Sequence, residues 1–162
     1  MSKTLIVMRH AKSSWDRPVS DIERSLNERG RNGAVALGDW LHENALEPDE
    51  ILCSSAERTQ ETARCLKLAA PITSSPALYM APAEVLLKHA ARATGDTVLL
   101  VAHNPGIGEL AERLANQIPT HPRFLDYPSG ATTVFSCDLN NWDDLRFGSA
   151  TPRHFTTPRD LI

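Results

Sequence analysis

Arg9-His10 near the start of this 162-residue chain, Arg58 in its first half and His103-Asn104 in its second have the residue types that phosphoryl chemistry asks for. Arginine offers a planar fork of donors that grips a tetrahedral oxyanion bidentately, keeps its charge at every working pH, and does not itself attack. Histidine does. A neutral imidazole that attacks phosphorus gives a phosphoramidate, which water then hydrolyses, so one difficult displacement becomes two easier ones. Arginines around the equatorial oxygens stabilise charge that spreads there in the transition state, and losing one such donor costs roughly a hundredfold to a thousandfold in rate. The scheme needs no metal and no cofactor.

These residues act together only if the fold delivers them to one place. Thr4–Lys12 reads TLIVMRHAK, a short apolar run that stops at Arg9-His10. Such a run predicts a strand buried on both faces, since a half-exposed strand alternates apolar with polar. Thr97–Ala102, TVLLVA, is a second strand of the same kind and again ends in histidine. In an open α/β sheet the crevice beyond the carboxyl ends of the strands is where ligands bind. Asn27 predicts the cap of a helix running to about Asn44, and Pro48 then precedes a short strand over Glu50–Cys53, which completes a β-α-β unit. Ser54-Ser55 opens the next helix, with serine available as cap, and places Arg58 in its first turns on the same rim.

The other segments are less marked. Ser13–Arg24 reads as a loop over the top of the sheet, Pro71–Pro76 as an irregular linker, Ala77–Met80 as a short strand, and Pro82–Ala93 as a helix. Pro105-Gly106 leads into a helix at about Ile107–Ala115, Asn116–Tyr127 reads as loop, and Ala131–Leu139 alternates as a half-exposed outer strand would. The remainder, with Trp142, Pro152, Phe155 and Pro158, lacks long periodicity and is expected to wrap the outside. The pattern predicts one three-layer α/β/α domain over residues 1–162 with a mostly parallel central sheet.

Composition narrows the function. A net charge of −3, with 41% apolar and 23% charged residues, gives no reason to expect nucleic acid or a membrane surface as partner. Cys53, Cys65 and Cys137 are far apart without a C-x-x-C spacing, so neither a zinc site nor a disulfide framework is indicated. They suit a reducing compartment, and the N-terminal apolar run is too short for a signal-peptide core or a membrane span. A cytoplasmic location is expected.

Arg9-His10-Ala11 resembles the R-H-G signature of the histidine phosphatase superfamily, whose fold is that of cofactor-dependent phosphoglycerate mutase. Arg58 and His103-Asn104 match the later arginine and second histidine. RHAKSSWD, SLNERGR, SSAERTQET, VAHNPG, PSGAT and the closing TPRDL look like the short SixA-type branch, which acts as protein phosphohistidine phosphatase. The resemblance implies His10 as nucleophile, Arg9 and Arg58 as holders of the phosphoryl oxygens, and His103 as a further donor to them. It also implies a phosphoprotein as substrate, such as a phosphohistidine phosphotransfer domain, and inorganic phosphate as product. Ala11 departs from the family pattern where glycine is usual. Mutase members carry an insertion with a carboxylate general acid, for which this chain has no room. Glu84 is the acidic residue in the corresponding segment, and Asp16 and Asp21 lie in the first loop.

That missing acid bears on the substrate. An alkoxide leaves poorly without a positioned proton donor, whereas the imidazole of phosphohistidine titrates near neutrality and can be protonated beforehand. Lys12 and Arg24 could extend the positive pocket, Ser129-Gly130 could line its far side by family analogy, and Trp15 could meet a partner or cover its own loop. His42, His89, His121 and His154 are scattered and read as structural or exposed. Three other readings stand beside phosphohistidine hydrolysis. They are a phosphatase for small phosphate esters, a non-catalytic phosphoryl-binding domain, and a metal-dependent hydrolase on His10 and His103, which flanking arginines disfavour.

Overall fold

The computed structural model describes residues 2–162. Strands β1 (Ser2–Arg9), β2 (Glu50–Ser54), β3 (Ile72–Ser75), β4 (Thr97–Ala102), β5 (Thr132–Asp138) and β6 (Thr151–Thr156) form a six-stranded sheet in the order β3-β2-β4-β1-β5-β6. β3, β2, β4 and β1 are mutually parallel, and β5 runs antiparallel to both of its neighbours. Helices α1 (Glu28–Glu43), α2 (Glu57–Cys65), α3 (Ala83–Ala90), α4 (Gly106–Leu114) and a closing turn α5 (Pro158–Leu161) complete the chain.

The apolar runs explain the layers. In β1, Leu5 and Val7 face a core shared with α3 and α4, while Ile6 and Met8 face a second core shared with α1 and α2. All four are fully buried, and each such side chain contributes roughly 1.5–3 kcal/mol of transfer free energy. β4 alternates in the same way, with Val98 and Leu100 on one face and Leu99 and Val101 on the other. A strand sandwiched between two helical layers has no polar face, which is why neither sequence alternates. The fold is three-layer α/β/α with a mostly parallel sheet, as the sequence predicts.

Helix α1 begins where expected. The Asn27 side chain accepts from the backbone N–H of Gly30, satisfying one of the free donors of the first turn. Gly30 also lets α1 press on the loop after β1, since a Cβ there would lie 2.0 Å from the Lys12 carbonyl oxygen.

Four segments differ from expectation. The third strand is Ile72–Ser75, inside the stretch read as linker, and Pro76–Leu78 forms a 3₁₀ turn where a strand was expected over Ala77–Met80. β3 is a four-residue edge strand of mostly polar residues, so it shows no apolar alternation. β5 is not the outer strand, because Thr151–Thr156 pairs along it as β6. Pro152 hides β6 in the sequence, and it is tolerated because this strand lies at the edge. With neighbours on both sides, β5 buries Thr132, Thr133, Val134 and Phe135 in succession, where a half-exposed strand was expected. Finally, neither serine caps α2, whose N-cap is Ala56 without a side-chain bond. Ser54 is used elsewhere.

Candidate active site

Adjacent parallel strands set the two histidines side by side. Arg9 of β1 pairs with Ala102 of β4, and the next residue, His10, donates its backbone N–H to the Ala102 carbonyl at 3.1 Å. His10 and His103 thus leave the sheet together, with ring centroids 5.4 Å apart. Between them and the first loop lies a pocket of about 230 Å³, whose walls include Arg9, His10, Arg58 and His103. The four residues singled out in the sequence are brought together. Lys12, Arg24, Asn104, Trp15 and Ser129 also line this pocket.

His10 is buried, and its Nδ1 lies 2.7 Å from the Ala11 carbonyl oxygen. A carbonyl only accepts, so Nδ1 carries the proton and Nε2 keeps a lone pair. Burial pushes the pKa of His10 down to about 3, with Arg9, His103 and Arg58 acting in the same direction against the Ala11 bond. The ring is therefore neutral at physiological pH. Burial, followed by the charge of Arg58, likewise lowers His103 to about 4. His103 Nε2 lies 2.7 Å from Ser54 Oγ, and its Nδ1 is buried without a partner among the described residues. Nδ1 is the nitrogen left for a ligand.

Ser54 is held at the β2–α2 turn by its neighbours. Its carbonyl accepts from Thr59 Oγ1 at 2.9 Å and Gln60 Nε2 at 2.8 Å, and its hydroxyl accepts from the Ala56 N–H at 3.3 Å.

The two arginines are anchored to different segments. Arg9 Nη1 donates to the Tyr127 carbonyl at 3.2 Å, and burial together with the nearby Arg58 lowers its pKa. Arg58 is almost wholly buried and donates to Asp21 twice, from Nη1 to its carbonyl at 2.6 Å and from Nη2 to Oδ2 at 2.9 Å. The Nε–H groups of both arginines are buried with no acceptor among the described residues. Leaving a buried charged donor unpaired is costly, so these groups favour an oxyanion brought to them.

Asp21 is the residue whose weight the sequence understates. It accepts from Arg58, from Arg24 Nε at 3.1 Å and, in a short bond, from the Tyr79 hydroxyl. Tyr79, then the two arginines, hold its carboxyl down to about 2. Tyr79 also stands edge-on to the His103 ring at 5.4 Å. Asp21 sits in a 3₁₀ turn, Asp21–Glu23, within a loop that carries no periodic signal.

The other candidates separate by location. Arg24 is buried under the loop, with Nη1 bonded to Ser13 Oγ at 2.8 Å and to the Ser14 carbonyl at 3.3 Å. Lys12 is exposed at the pocket edge. Asn104 spends its amide on the Tyr127 carbonyl at 2.9 Å and on the Gly108 N–H at 3.1 Å, so it ties the start of α4 to the neighbouring loop. Glu84 is not brought to the pocket. It is exposed on α3, where Arg113 pairs with it at 3.0 Å. Tyr127 lies in the segment read as loop, yet it is fully buried and donates its hydroxyl to the Val7 carbonyl at 2.8 Å. That fixes the carbonyl on which Arg9 and Asn104 converge.

Comparison with known proteins follows this geometry. The sequence profile described as Histidine phosphatase superfamily (branch 1) matches residues 5–79, which include Arg9, His10 and Arg58. A protein of Mycobacterium leprae is 31% identical over 163 residues, covering 94% of this chain and 100% of its own length. The chain belongs to the histidine phosphatase superfamily. Membership supports phosphatase activity. Among solved histidine phosphatase structures, one from Nakamurella multipartita designated a SixA phosphohistidine phosphatase superposes with a TM-score of 0.87 at 26% identity, covering 98% of this chain and 97% of that one. A protein histidine phosphatase SixA complexed with tungstate has a TM-score of 0.78 at 21% identity over 98% and 99% of the two chains, a likeness of fold. No helix among the described residues is long and apolar enough to cross a membrane.

Proposed function

We propose that this protein removes phosphoryl groups from phosphohistidine in proteins through a covalent intermediate on His10. One observation carries the choice of substrate. Asp21 is the one carboxylate among the residues lining the pocket, and it is held ionised by Tyr79, Arg58 and Arg24. An acid with a pKa near 2 has no proton to give to a departing alkoxide at neutral pH. Phosphohistidine protonated on its second ring nitrogen needs none, because it departs as neutral imidazole. The likeness to the Nakamurella protein designated SixA supports the same reading.

In the first step His10 Nε2 bonds to phosphorus as the substrate's phosphorus–nitrogen bond breaks. Arg9, Arg58 and His103 Nδ1 supply donors to the three phosphoryl oxygens. The Ala11 carbonyl keeps Nδ1–H of His10 in place, so the phosphorylated ring stays in its protonated form, the better leaving group. Water then attacks phosphorus, the bond to Nε2 breaks, inorganic phosphate leaves, and His10 is neutral again. No step requires a metal or a cofactor.

The test is phosphate release from a phosphohistidine phosphotransfer protein by wild type and His10→Ala in the presence of chelator, beside a phosphoserine peptide and an aryl phosphate. Release from the protein that depends on His10 and exceeds ester turnover by at least tenfold is expected. Faster turnover of either ester would replace this reading with that of a small-ester phosphatase. Tight binding of phosphate with no turnover of any substrate would make the domain a phosphoryl-binding module.

A further inference from the structure

We infer that an apolar rim around the pocket, made of Trp15, Val19, Ile22 and Met80, docks a folded protein that presents its phosphorylated side chain from a largely uncharged surface. The inference rests on the function proposed above and names the surface that would select for it. Large apolar side chains left in water are few among the described residues, and these four are 77%, 39%, 40% and 49% exposed, respectively. Trp15 and Met80 form part of the pocket wall itself. Val19 and Ile22 belong to the loop whose Ser13, Asp21 and Arg24 line the pocket, but neither reaches inside it.

Trp15 is prepared for contact. The guanidinium of Arg24 lies 3.5 Å from the centre of its ring, and Arg24 is itself buried and bonded to Asp21, Ser13 and Ser14. One face of the indole is thus fixed on a rigid support while the rest stays in solvent. An anchor already held in position loses little entropy on binding, and tryptophan is the residue type that most often dominates interfaces. Met80 adds an adaptable apolar surface to the pocket wall, its sulfur 3.9 Å from Arg58 Nη2. Charge specifies the occupant. Arg9 and Arg58 line the pocket with unpaired Nε–H donors, and Lys12 at its edge and Arg24 outweigh the one carboxylate, Asp21, so a matching surface carries one anionic group at its centre and apolar groups around it. A small phosphate ester satisfies the centre and leaves the rim in water. A phosphohistidine on the face of a folded domain satisfies both.

Two variants test this, Val19→Ser/Ile22→Ser and Trp15→Ala, each assayed on a phosphohistidine phosphotransfer protein and on the free amino acid phosphohistidine. The double variant is expected to lose about tenfold in kcat/KM on the protein, through KM, and to stay within twofold of wild type on the free amino acid. Trp15→Ala is expected to lose about thirtyfold or more on the protein, matching the cost of truncating an interface anchor. Equal losses on both substrates, or no loss on the protein, would overturn the docking surface while leaving the proposed activity intact. Wild-type protein that releases phosphate from neither substrate would overturn the activity itself. A wild-type dimer by light scattering that the Val19→Ser/Ile22→Ser variant converts to monomer would assign the rim to a second copy of this chain and would also overturn the inference.

Discussion

Replacing Ser54 by alanine tests whether this chain sets the protonation of His103 from outside the pocket. Ser54 and His103 are both almost completely buried, and the 2.7 Å contact from Oγ is the bond made by His103 Nε2. Ser54 Oγ already accepts from the Ala56 N–H, so its own proton is available for Nε2. Donation there makes Nδ1 the protonated nitrogen, the one that lacks a protein partner and can donate to a phosphoryl oxygen. Ser54→Ala removes this selection and strands Nε2 in a dry site. A lost neutral hydrogen bond is worth about 1 kcal/mol, or roughly fivefold, and a lost phosphoryl donor roughly a hundredfold. Single-turnover release should therefore slow by between about fivefold and a hundredfold, and stability should fall by about 1–3 kcal/mol. Ser54→Cys, with a weaker donor of similar size, should fall in between. Nitrogen-15 NMR of His103 should show Nδ1 protonated in wild type and a tautomer mixture in the alanine variant. An unchanged Nδ1–H signal and a rate within twofold of wild type would refute the assignment of Ser54 as a positioning residue.

Other outcomes follow from the same geometry. His10 and His103 have folded-state pKa values lowered to about 3 and 4, against 6.5 when unfolded, so the unfolded chain binds more protons below pH 6.5. Stability should fall as pH drops from 6.5 toward 4, and His10→Gln should fall less; an NMR titration midpoint near 6.5 for His10 would show that burial does not control it. Arg58→Lys should lower kcat roughly a hundredfold or more, because a single ammonium cannot hold both Asp21 and a phosphoryl oxygen. The carboxyl of Asp21 should titrate higher in that variant, and an unaltered carbon-13 titration would remove Arg58 as one of the groups holding it ionised.

The parts of this protein that can be read from sequence are those in which one physical demand dominates. β1 and β4 are legible because burial on both faces leaves no room for polar residues, and the same strands lead into the two histidines proposed for the chemistry. β3 and β6 are illegible because edge strands obey no such demand, and Pro152 argues against a strand unless its edge position is already known. In the site, Arg9, His10, Arg58 and His103 stand out by chemical type at strand and helix ends. Ser54, Asp21, Tyr79 and Tyr127 do not, because each matters through contacts across 37 or more residues of chain, such as Asp21 with Arg58 or Tyr127 with Val7. Ser54 offered a local clue. As a serine at a strand-to-helix turn it reads as a cap, and the same hydroxyl is equally placed to meet a side chain from the neighbouring strand.

The pairing of Arg9 with Ala102 has a consequence for how freely this protein can change. Because His10 and His103 each follow one member of that pair, the separation at which the two side chains leave the sheet is gauged by the backbone spacing of a parallel sheet, about 4.8 Å. Ser54 and the Ala11 carbonyl then orient the rings, but the points from which both side chains start are set by backbone pairing. The rim, the first loop and the leaving-group side can therefore diverge toward new partners while the two histidines keep their places relative to each other.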